Sequence, residues 1–69
     1  MMFPFPIKKV IVQSGEHLPM DHIVIHFDAP STTLAIPDAA ASALFYASKG
    51  YALQWVRDNL HIEPEVQIQ

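Results

Sequence analysis

Cysteine is absent from the sequence, which removes disulfide staples, thiolate nucleophiles and cysteine-based zinc or iron–sulfur sites. Glycine occurs only twice, at Gly15 and Gly50, so no glycine-rich loop is available to cradle a phosphate. Positive charge is scarce as well. Lys8, Lys9, Lys49 and Arg57 stand against seven acids, for a formal net charge of −3. Duplex nucleic acid is normally met by a basic patch that neutralises several phosphates and releases their counterions. Four scattered cations under a negative field do that poorly, and the carboxylates form no dense row that would mimic nucleic acid. A long apolar run is missing too. The longest, 39–56, is interrupted by Lys49, whereas a membrane span takes about 20 apolar residues and rarely centres on a lysine. The opening Met1-Met2-Phe3-Pro4-Phe5-Pro6 lacks a basic n-region and places prolines where a signal peptide needs its apolar stretch. The expectations are a cytoplasmic protein that meets neither nucleic acid nor membrane.

What is present is apolar. The 69 residues are 51% hydrophobic and only 16% charged, too hydrophobic and too weakly charged for a disordered chain. They suit one small α+β domain over 1–69, led by an extended Phe/Pro arm at 1–6. Residues 7–13, rich in valine and isoleucine, read as a first strand. Gly15 and Pro19 then break the chain in a loop. Residues 22–28 are the clearest strand: Ile23, Ile25 and Phe27 fall on one side, His22, Val24, His26 and Asp28 on the other. The first set belongs to a core, and the second faces solvent or a partner.

After the Asp28-Ala29-Pro30-Ser31 turn, 32–36 reads as a third strand, completing a three-stranded antiparallel sheet with short connections. Pro37 and Asp38 suit the start of a helix, and the composition that follows predicts one long helix over 37–59, packed on the sheet. Gly50 is its weak point, costing about 1 kcal/mol relative to alanine. Two shorter helices joined at Gly50 are the alternative. The alternation in 65–69 has room for a short fourth strand at the C-terminal end.

On a continuous helix, Ala41, Leu44, Phe45, Ser48, Tyr51, Ala52, Trp55 and Val56 form the core stripe. The opposite face gathers Tyr46, Lys49, Leu53 and Arg57 over small residues such as Ala43 and Gly50. Tyrosine and arginine are enriched at protein contacts, so these four residues are the candidate partner-binding set. Phe3 and Phe5 on the proline-stiffened arm join them, with coverage of the core's open end as their competing role.

Catalytic equipment is thin. No serine sits in a nucleophile-elbow context, and so small a domain struggles to enclose a pocket of about 300 Å³. Four histidines, His17, His22, His26 and His61, invite a metal hypothesis. His22 and His26 share a strand face, yet four residues of strand put them about 13 Å apart, too far to chelate one zinc ion together. The reading that emerges is a module that is not an enzyme, needs no cofactor or metal, and binds a larger protein or complex to modulate or inhibit it. In size, acidity and lack of catalytic residues the chain is similar to small phage-encoded inhibitors, anti-CRISPR and host-takeover proteins among them. That is a resemblance of size class and covers no particular residues. Two other readings are a homodimeric structural module and a histidine-based metal binder or pH sensor.

Overall fold

A computed structural model describes residue 3 and residues 5–28 and 42–69. The chain is α+β, with elements in the order β1 (Ile7–Ser14), β2 (Asp21–Phe27), β3 (Ser42–Ala47), α1 (Ala52–Leu60) and β4 (Glu65–Ile68). The four strands form one mixed sheet in the order β3-β2-β1-β4. β1 and β2 pair antiparallel, as do β2 and β3, while β4 runs parallel to β1. A parallel neighbour cannot be reached by a hairpin. The chain leaves β3 at one edge, crosses the sheet as α1, and returns as β4 at the other edge.

β1, β2 and β4 lie within a residue or two of the expected strands. The expected third strand, 32–36, and the first residues of the expected long helix, 37–41, lie outside the described residues. The rest of that helix requires correction, because 42–47 is a strand and only Ala52–Leu60 is helical. Two local causes account for this. The run Ala43-Leu44-Phe45-Tyr46-Ala47 is apolar at every position, so it carries no period of its own, and its aromatic residues suit a pleated surface. Gly50 then adopts φ +85°, a left-handed conformation that ends any continuous helix through it. Ser48 accepts the Tyr51 amide at 2.9 Å to close the turn that launches α1.

Alternation along paired strands sets two faces, since directly opposed residues share one. Val10, Ile25 and Ala43 lie in register across β1, β2 and β3, as do Val12, Ile23 and Phe45. This is the face that α1 covers. Val10, Val12, Ile23 and Ile25 are buried against Ala52 and Val56, one helical turn apart on α1. Each fully buried valine or isoleucine contributes about 1.5–3 kcal/mol of transfer free energy. Leu53, Trp55, Leu60 and Ile62 pack around that centre.

A nine-residue helix is only about 13 Å long, and the far end of the core is closed by Phe3. Its ring lies 5.4 Å from Phe27 and 6.5 Å from Phe45, tilted to both, within the range of favourable aromatic pairs. α1 ends at His61, whose left-handed φ of 56° lets its amide donate to the Arg57 carbonyl at 3.2 Å. Among the described residues no helix is long and apolar enough to cross a membrane.

Candidate functional site

The other face of the sheet bears Lys9, Ile11 and Gln13 of β1, His22, Val24 and His26 of β2, Ser42, Leu44 and Tyr46 of β3, and Glu65 and Gln67 of β4. Among the described residues no helix or strand lies over it. The register arranges it in rows running across the strands. Ile11, Val24 and Leu44 make an apolar row, with Glu65 at its β4 end. Gln67, Gln13, His22 and Tyr46 make a polar row beside it. Lys9, His26 and Ser42 make a third row on the other side.

Exposure along the apolar row rises towards β3, from 7% at Ile11 on a central strand to 50% at Leu44 on the edge. Tyr46 is 58% exposed and meets the His22 imidazole edge-on, with ring centroids 4.9 Å apart. Gln13 donates to the Gln67 side-chain oxygen at 3.4 Å, a long bond that ties β1 to β4 on this face. Among the described residues, the two imidazoles and the Tyr46 hydroxyl take no hydrogen bond from within the chain. The face therefore offers an apolar strip bordered by groups that donate and accept hydrogen bonds, the composition of protein contacts.

The six residues expected to bind a partner do not share one surface. Tyr46 is on the open face. Lys49 lies in the turn before α1 and donates to the Glu16 carbonyl at 3.2 Å. Leu53 packs against the core. Arg57 is engaged by Glu63 through two hydrogen bonds, at 2.9 and 2.6 Å. Those bonds, reinforced by charge attraction, hold the guanidinium above its ordinary pKa and Glu63 below the usual carboxylate range. Phe3 closes the core, while Phe5 is exposed. The expected cluster presupposed a helix through Tyr46, and the turn at Gly50 scatters its members.

Leu44 was not among the expected site residues, because on a helix it falls in the core stripe. The β2 side of the surface, His22, Val24 and His26, was already visible as the outward set of an alternating strand. Among the described residues no group of three or more histidines, aspartates or glutamates is placed to hold a metal ion.

One buried polar group stands apart from this surface. Asp21, only 2% exposed, lies on the α1 side of β2 opposite Ala47. Its Oδ2 accepts the Gly50 amide at 2.8 Å, while Oδ1 has no hydrogen-bond partner among the described residues. α1 has no side-chain cap of its own, so this carboxylate ties the turn before the helix to the start of β2. Comparison with family models, with curated proteins and with solved structures finds no match to this chain.

Proposed function

We propose that the protein is a non-catalytic binding module that attaches to a larger protein through the open face of its sheet and modulates that protein by occupying its surface. The observation that supports this reading is the pairing of Leu44 and Tyr46, each half or more exposed, with the apolar row and imidazoles of β1 and β2. Tyrosine supplies contact area and a directional hydroxyl at low entropic cost, and a sheet face presents such side chains from a fixed backbone. Small inhibitors that act by blocking a surface need no more chemistry than this.

The test is affinity capture from a lysate with the wild-type chain and with a Leu44→Asp, Tyr46→Asp variant, read by mass spectrometry. Both side chains are exposed, so the variant is expected to keep its circular dichroism spectrum, with a melt lowered by the lost Tyr46–His22 contact. A protein retained stoichiometrically by the wild type and lost from the folded variant is the expected result. Retention of the same protein by the folded variant would remove the open face from the account.

A further inference from the structure

Beyond the open face, the outer edge of β3 carries its own signal. β3 hydrogen-bonds to β2 along one side, and among the described residues no strand lies on the other. Its register against β2 is continuous, without the shift that β1 carries between Ile7 and Lys9. Residues 43–47, Ala-Leu-Phe-Tyr-Ala, hold no charge, proline or glycine. Sheet edges are usually guarded by short strands, charges, prolines or bulges, because unpaired backbone groups recruit another strand. The opposite edge follows that rule, with β4 only four residues long and headed by Glu65. β3 does not.

We propose that β3 pairs antiparallel with β3 of a second copy of this chain, in the register centred on Phe45, joining two four-stranded sheets into one. A two-fold axis normal to the sheet keeps both faces continuous, so opposed residues must come from the same face. The axis therefore passes through a residue position. Placed on Phe45, it sets Leu44 opposite Tyr46 of the second copy, and Tyr46 opposite its Leu44. Phe45 meets its own counterpart on the helix side and joins the two Phe3–Phe45 clusters, while Ala43 meets Ala47. Each large exposed apolar side chain of the strand gains an apolar neighbour, the pairing that stabilises sheets. Centred on Leu44, the strand would instead set Phe45 against Ala43.

Charge favours a second copy as the occupant. The chain is net acidic, yet none of its seven carboxylates lies on β3, so two copies approach there without like-charge opposition. A strand pair of this length buries less than the roughly 800 Å² per partner of a standard stable interface. The dimer is accordingly a weak one, and the joined sheet presents the open face twice over.

Sedimentation equilibrium of the wild type from about 1 μM to about 1 mM reads the association, and single-cysteine variants read the register. The chain has no cysteine to confuse them. Directly opposed residues have Cα atoms about 4.5–5.5 Å apart, within disulfide range. Phe45→Cys should therefore oxidise to a covalent dimer, while Ala43→Cys and Ala47→Cys alone should not. A Leu44→Lys, Tyr46→Lys variant sets like charges opposite each other and should weaken association about tenfold or more. A wild type monomeric throughout would overturn the pairing, whatever happens to the folding of Phe45→Cys. So would cross-linking equally efficient at Ala43, or a doubled mass unaffected by the lysines. A monomer that still captures a partner protein overturns this inference and leaves the proposed function standing; a dimer that captures nothing does the reverse.

Discussion

Replacing Asp21 with alanine removes the side-chain contact that ties the start of β2 to the turn before α1. The substitution deletes the acceptor of the 2.8 Å bond from the Gly50 amide and leaves that donor, on an exposed residue, to water. A hydrogen bond to a charged group is worth about 1.5–3 kcal/mol, with no further cost for a donor that solvent can reach. Against this stands relief from burying a carboxylate whose Oδ1 has no partner, so the loss is set at about 2 kcal/mol. For a domain of this size that lowers the melting midpoint by about 8–16 °C. Asp21→Asn keeps an oxygen for Gly50 but puts an NH2 donor where Oδ1 has no partner, so it should lose about 1 kcal/mol, less than alanine. Thermal melts followed by far-ultraviolet circular dichroism decide the matter. An alanine variant that melts within about 2 °C of the wild type would refute the reasoning. Equal losses in alanine and asparagine would show that charge, rather than the acceptor, holds the turn.

Gly15 and the Arg57–Glu63 pair make two further predictions. A Cβ at Gly15 would come within 2.5 Å of the Gln69 carbonyl oxygen, beside the bond from the Gln69 amide to Ser14. Gly15→Ala should therefore release the end of β4, seen as accelerated amide exchange at Gln67–Gln69; exchange there as slow as in the wild type would contradict it. Glu63 titrates below the usual carboxylate range, chiefly through its hydrogen bonds to Arg57. Its contribution is complete above the unfolded-state value and is lost as pH falls through the lowered folded value. Both partners are exposed, so Glu63→Gln should leave the melt at neutral pH unchanged and only flatten its acid limb. A clear loss at neutral pH would contradict that.

The parts of the fold that could be read in advance are those where pattern and propensity agree. β2 alternates cleanly, so its buried set, Ile23 and Ile25, and its outward set, His22, Val24 and His26, were both visible from period two alone. The valines and isoleucines of β1 and the alternation ahead of Gln69 were enough for those strands, though nothing local reveals that β4 pairs parallel to β1. That pairing depends on a crossover, which is a property of the whole chain. β3 was hidden because Ala43–Ala47 is apolar throughout and equally consistent with a helix face. The signal that separated them was Gly50, whose conformation is set by the turn and by its bond to Asp21, twenty-nine residues earlier. The same long-range dependence governs the site. Leu44 looked like core until the strand turned it outward, and Lys49 and Arg57 looked available until the fold gave them the Glu16 carbonyl and Glu63 as partners.

On the proposed reading a partner protein meets the open face of the sheet rather than the solvent side of the helix. Side-chain and amide shift perturbation by nuclear magnetic resonance, recorded as a captured partner is titrated in, tests it most directly. The shifts are expected to concentrate at His22, Val24, His26, Leu44 and Tyr46. Shifts centred on Gln54, Arg57 and Asp58 of α1, with the open face unmoved, would contradict it.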